Sequence, residues 1–340
     1  MKIRTLFSIV LLILTCAFYS HADVKCAIVQ FSDETADKVS PDDDRLEAYI
    51  REAAGKGAKL IVAPENCLYR YDPWSQSGVT ALDLAKKFDT LVDAFSKLAK
   101  ELGVCIVFGL REPTGSSSQP TTYQSAVFLD NTGKLVKTYR KRVPSNSEKS
   151  FTKSGGNDWK SFETPVGKVF MQVCKDMDGD GYINSMPTDI DLLIGVNKDP
   201  DRGWVKVDAG CKKAKCYGIG ANWAGAQGGS TGGNSGFVDN EGKMISEAGA
   251  GNYGKNQKII YETLPLTMQN ATPVAVARIP GKRATLPGSI AVYDLSGRYI
   301  AGINQTNRSG SANSAHAILL LKVNSSGHTS LKKFHTVAGH

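Results

Sequence analysis

Acidic residues are scarce at both ends of this chain. Residues 1 to 22 hold Lys2 and Arg4 and no acid, and residues 271 to 340 set eight lysines and arginines against Asp294 alone. The two ends contribute +2 and +7 to a net charge of +8, which leaves the body between them at −1. A nearly neutral body argues against nucleic-acid binding, which needs a basic surface on the working domain. Long apolar runs are also missing beyond the N-terminal segment, and 41% hydrophobic with 22% charged residues fits neither a disordered chain nor a multi-span membrane protein. Nor is there a dense cysteine framework. Cys16 belongs to the N-terminal segment, and Cys26, Cys67, Cys105, Cys174, Cys211 and Cys216 lie mostly in apolar, strand-like contexts. A chain of 340 residues builds a core without staples, so they read as buried thiols, although an even count in an exported chain permits disulfides. The Gly- and Ser-rich stretch Gly225 to Gly236 lacks the strand-turn-helix setting of a phosphate loop and reads as a flexible loop beside a site. His316, His328, His335 and His340 are too scattered for converging metal ligands, and no cofactor is expected.

At the N-terminus, Lys2 and Arg4 precede an apolar run from Leu6 to Tyr19, and Ser20-His21-Ala22 supplies the small residues of a signal-peptidase site. The pattern predicts cleavage after Ala22 and a secreted or cell-surface protein. From Val24 onward, strand-like runs alternate with helical patterns, as in layered α/β architecture. Strands are predicted at Val24 to Phe31, Leu60 to Ala63, Val104 to Gly109, Lys168 to Val173 and Asp191 to Val196, with helices at Asp44 to Gly55, Thr80 to Leu102 and Trp204 to Ala214. Hairpins are predicted around Asp130-Asn131-Thr132-Gly133 and Asn240-Glu241-Gly242.

Cys174 follows the apolar strand ending at Val173, so its thiol should emerge at the carboxyl end of a central strand, where α/β active sites gather. Glu65 ends the Leu60 to Ala63 strand and Lys141 follows the Leu135 to Tyr139 strand, so both can converge on the same edge. Taken singly, a cysteine there is more often a packed thiol, and each charge reads as a solvated loop residue.

Three segments resemble the nitrilase superfamily of carbon-nitrogen hydrolases, whose triad is Glu, Lys and Cys in that chain order. They are Leu60-Ile-Val-Ala-Pro-Glu65, Gly133-Lys-Leu-Val-Lys-Thr-Tyr-Arg-Lys141 and Gly167-Lys-Val-Phe-Met-Gln-Val-Cys-Lys-Asp176. Glu148 resembles the second, substrate-orienting glutamate of many members, and the likeness continues through Trp204-Val-Lys-Val-Asp-Ala, Ala221-Asn222-Trp223 and Ser235-Gly-Phe-Val-Asp239. The resemblance implies a four-layer αββα sandwich, catalytic Glu65, Lys141 and Cys174, a small-molecule amide, carbamoyl or nitrile substrate, and a homodimer. It departs from the family after Asp176, where Met177-Asp-Gly-Asp-Gly-Tyr-Ile-Asn184 intervenes. There Asp176, Asp178 and Asp180 have the spacing of a calcium loop, but Pro187 stands where the bidentate carboxylate belongs, and no metal is expected.

Beyond Leu264 the prolines 265, 273, 280 and 287 mark a linker, and short strands from Ser289 suggest a small β-sandwich-like module. Ile290-Ala-Val-Tyr-Asp-Leu-Ser-Gly-Arg298 and Leu321-Lys-Val-Asn-Ser-Ser-Gly327 resemble the C-terminal sorting domain of type IX secretion substrates, which implies a partner in the export machinery. The expected organisation is a signal peptide at 1–22, a hydrolase domain at 23–265, a linker at 266–287 and the β module at 288–340. Two other readings stand beside an exported hydrolase: an inactive surface-binding protein on the same scaffold, and an acyltransferase that uses the same acyl-enzyme.

Overall fold

The computed structural model describes residues 23–31, 43–68, 85–116, 119–146, 148–178, 180–199, 203–225, 231–252, 256–266 and 268, and the backbone of 289–293, 299–304, 318–323 and 329–334. The segment expected to be a signal peptide, most of the expected linker and part of the Gly-rich loop lie outside the described residues.

Alternation along the strands builds the layers. In β1 (Val24–Gln30), Cys26 and Ile28 face one side and Ala27 and Val29 the other. Ala27 and Val29 join a core with Leu46, Ile50 and Ala53 of α1 (Asp43–Gly55) and with Phe88, Leu91, Phe95 and Leu98 of α2 (Phe88–Leu102). Both helices bury residues three and four apart, so each presents one apolar face to the sheet. Cys26 and Ile28 face a second core, shared with Val169, Met171 and Val173 of β7 (Gly167–Val173). The opposite face of β7 carries Phe170 into a third core, with Met177, Tyr182, Met186, Val207 and Cys211. The order is therefore helix, sheet, sheet, helix, the four-layer αββα sandwich that the resemblance implies.

The first sheet has the order β14-β1-β2-β3-β4-β5, with β2 at Leu60–Val62, β3 at Cys105–Ser116, β4 at Gln119–Leu129, β5 at Leu135–Arg140 and β14 at Lys258–Leu264. The second has the order β12-β11-β9-β8-β7-β6, from β6 (Phe162–Thr164) through β8 (Leu192–Asn197), β9 (Tyr217–Asn222) and β11 (Gly236–Val238) to β12 (Met244–Glu247), and β10 (Thr231–Gly233) pairs antiparallel with β13 (Ala250–Asn252) in a two-stranded sheet. Because β2 and β3 are parallel and β3, β4 and β5 successively antiparallel, β5 runs with β2 and both end at one edge. In the second sheet β7, β8 and β9 are parallel. The Glu65 N–H donates to the Asn197 carbonyl at 3.3 Å, which joins the carboxyl ends of the two sheets. Register matters here. A one-residue slip of β7 would exchange Val169, Met171 and Val173 with Phe170 and Gln172 between the two cores, mispacking both, and turn Cys174 away from that edge.

Both predicted hairpin tips form the same way. Asp130 Oδ1 accepts the N–H groups of Thr132 and Lys134, Asp239 Oδ1 accepts those of Glu241 and Lys243, and Gly133 and Gly242 take positive φ. The predicted helix from Trp204 to Ala214 is not continuous. A 3₁₀ turn (Trp204–Lys206) precedes a short α-helix at Asp208–Ala214, because the Trp204 N–H is held by the Asn234 carbonyl at 2.8 Å and Gly203 lies against that same strand connection. The chain divides into units Met1–Gln269 and Asn270–His340; in the second, strands Ser289–Tyr293, Tyr299–Asn304, Ile318–Val323 and Thr329–Phe334 form one antiparallel sheet.

Candidate active site

β7 ends extended at Val173, and Cys174 then takes φ 46°, a left-handed conformation uncommon for a residue with a Cβ. The chain turns at once into a 3₁₀ turn (Cys174–Met177), so the side chain leaves the sheet at its carboxyl end. Strain of about 1–3 kcal/mol held at such a turn is characteristic of functional positions. Cys174 is partly exposed, and its Sγ lies 3.9 Å from the Lys198 carbonyl that follows β8.

Lys141 continues the β5 ladder, its N–H donating to the Gln124 carbonyl at 2.8 Å. Its side chain is 2% exposed, and Nζ donates at 2.9 Å to Glu65 Oε1 and at 2.9 Å to Glu148 Oε2. Glu148 Oε2 also accepts the Ser145 N–H at 2.7 Å, and its other oxygen lies 3.8 Å from the buried Arg111 guanidinium. Arg111 in turn donates to Thr152 Oγ1 at 3.0 Å and covers the Phe151 ring. Such charges survive burial only because each is paired and hydrogen-bonded.

Electrostatics follow from this packing. Burial pushes the Cys174 thiol up to about 12 and Glu65 pushes it the same way, while Lys141 and Lys206 pull it down. Burial alone would lower the Lys141 ammonium, but Glu65, the Cys174 sulfur and Glu148 raise it beyond the ordinary lysine range. Burial opposes ionisation of Glu148, yet Lys141, the Ser145 N–H and Arg111 hold it down at about 2.

A family model described as carbon-nitrogen hydrolase matches residues 25–273. The chain belongs to that family. Among its relatives, a citrullinase of Francisella tularensis is 30% identical over 163 residues, 46% of this chain and 54% of that protein. A bifunctional nitrilase/nitrile hydratase of Lupinus angustifolius is 26% identical over 174 residues, 46% of this chain and 48% of the relative. The matched segments thus span about half the length of these curated relatives. A mutant of the Nesterenkonia AN1 amidase from the nitrilase superfamily superimposes with a TM-score of 0.59 at 18% identity, covering 71% of this chain and 92% of that one. At that identity the likeness carries the fold.

Of the residues singled out in the sequence, Glu65, Lys141 and Glu148 are hydrogen-bonded together, and Cys174 lies in the electrostatic reach of Glu65 and Lys141. Asp176 and Asp178, two of the calcium-spaced aspartates, are held by different partners, and the Asp180 side chain lies outside the described residues. Asp176 is buried and accepts the Tyr139 hydroxyl at 2.8 Å and the Val143 N–H at 2.7 Å, and burial pushes its carboxyl up to about 6. Asp178 is paired instead with Lys206. Among the described residues no three His, Cys, Asp or Glu side chains gather as a metal site requires. Sequence reasoning missed Arg111 and Lys206; the signal for the second was a lysine between Val205 and Val207 in an otherwise apolar stretch. Cys26, Cys67, Cys105, Cys211 and Cys216 are buried.

Proposed function

We propose that this protein is an exported hydrolase that cleaves a non-peptide carbon-nitrogen bond of a small amide, carbamoyl compound or nitrile through a thioester on Cys174. The observation that carries this is the doubly held Lys141 beside the strained, partly open Cys174. The Cys174 sulfur attacks the carbonyl carbon as its proton passes to Glu65, so the thiol, neutral at rest, becomes nucleophilic only with substrate in place. The Lys141 ammonium donates to the oxygen that gains charge. Collapse breaks the C–N bond, and Glu65 returns the proton to the departing amine. Water, deprotonated by Glu65, then cleaves the thioester to release acid and restore the thiol. Glu148 holds Lys141 in place and orients the amine side of the substrate.

The relatives named for citrulline and nitrile hydrolysis support small C–N substrates, with carbamoyl compounds the first to assay. Export rests on the basic, apolar and small-residue order of 1–22, and sorting on the C-terminal likeness. Among the described residues no helix is long and apolar enough to cross a membrane. The test is ammonia release from a panel of amides, carbamoyl compounds and nitriles, with Cys174→Ala as control. Release by the wild type and none by the variant is expected. Equal turnover by the variant would reject Cys174 as nucleophile, and silence of both proteins would favour a binding scaffold.

A further inference from the structure

We infer that Lys206 is a second positioning cation for the Cys174 sulfur, pinned by Asp178 and Asp199 from the two chain segments that flank the thiol. This rests on the reading of Cys174 as nucleophile. Lys206 ends the 3₁₀ turn after Gly203, and its side chain is 2% exposed. It pairs with Asp178 and, at 3.0 Å, with Asp199 Oδ2. Asp178 closes the turn that begins at Cys174, its N–H donating to the Lys175 carbonyl at 3.1 Å. Asp199 follows Lys198, whose carbonyl is the neighbour of Sγ. Asp199 is itself fixed by Asn222, which accepts its N–H at 2.9 Å and donates to its carbonyl at 2.8 Å. Movement of the lysine is thus opposed from both sides of the sulfur.

Charge supports the same placement. Burial would lower the Lys206 ammonium, and the Cys174 sulfur, Asp178 and Asp199 together raise it again. The groups acting on Cys174 are Glu65 on one side of the balance and Lys141 and Lys206 on the other, while Asp178 and Asp199 temper Lys206, and Glu148 tempers Lys141. A lysine serving only to neutralise two aspartates would have no bearing on thiol reactivity.

The experiment is the rate of Cys174 alkylation by iodoacetamide in the full chain, read by peptide mass spectrometry at several pH values on the neutral to alkaline side. Removing a cation beside a thiol raises its pKa by about 1–3 units, and the lower thiolate fraction is partly offset by greater intrinsic nucleophilicity, leaving about threefold per unit. Lys206→Met should therefore alkylate at least about threefold more slowly at each pH, and Lys206→Arg should restore most of the rate. Asp178→Asn, at a partly exposed position, should act in the opposite direction and speed alkylation, because the lysine is then less neutralised. Unchanged rates in Lys206→Met and Asp178→Asn, or changes of the same sign in both, would overturn the inference. Should Lys206→Met fail to fold, Asp178→Asn alone decides. Loss of the hydrolase reading would show separately, as ammonia release by Cys174→Ala.

Discussion

Replacing Glu148 by glutamine isolates the charge that locks Lys141. The carboxyl is held from the ordinary 4.5 down to about 2, and its side chain is 13% exposed, so solvent screening is slight. At about 1.4 kcal/mol per unit, a depression of this size corresponds to roughly 3 kcal/mol of folding stability. The sign follows from a depressed acid: the contribution is complete above the unfolded carboxyl pKa and is lost as the pH falls toward about 2. Urea unfolding of wild type and Glu148→Gln from about pH 7 down to about pH 2 should therefore show a gap of roughly 3 kcal/mol at the neutral end that narrows steadily below about pH 4.5. Other acids titrate in both proteins and cancel in the difference. A gap independent of pH would mean that Glu148 acts through packing, and the ion-pair account of the site would fail.

Gly109→Ala probes how Glu65 is positioned. A methyl group there would sit 2.6 Å from Glu65 Cα and 2.9 Å from Asn66 N, both backbone atoms that must move. Turnover should fall about a hundredfold, with a loss of roughly 1–3 kcal/mol in stability, measured by ammonia release and urea denaturation; near-normal turnover would show that the end of β2 tolerates displacement. Tyr139→Phe removes the hydroxyl that Asp176 accepts at 2.8 Å. The expected loss is about 1.5–3 kcal/mol at neutral pH, and it should shrink below about pH 6, where the raised Asp176 carboxyl is protonated in the folded state.

Elements whose burial is written in their own spacing were legible in advance. Apolar runs located β1 and β7, helical patterns located α1 and α2, and tips bearing Asn and Gly located both hairpins. Cys174, Glu65 and Lys141 were legible because each stands at a strand end within a recognisable motif. What escaped depends on partners distant in sequence. β14 pairs with β1 across most of the unit, and nothing in Lys258–Leu264 announces that partner. Arg111 and Lys206 look like ordinary charged residues until the carboxylates that bury them are placed. The calcium-like spacing of Asp176, Asp178 and Asp180 carries no direction, and direction is what counts: Tyr139 and the Val143 N–H draw Asp176 inward, while Lys206 holds Asp178.

Two carboxylates on one buried ammonium would leave an uncompensated negative charge beside a thiol that must itself lose a proton. Arg111 offsets it. Its guanidinium, 3.8 Å from Glu148, brings Glu65, Lys141, Glu148 and Arg111 to neutrality while Cys174 keeps its proton. In the proposed mechanism the proton moves from sulfur to Glu65 and then to the leaving nitrogen, so it stays within this buried set until the amine departs. No step then requires a net charge to be created far from water, which would cost several kcal/mol. The pairing of Lys141 with two glutamates is compatible with a neutral resting thiol because Arg111 stands behind the second of them.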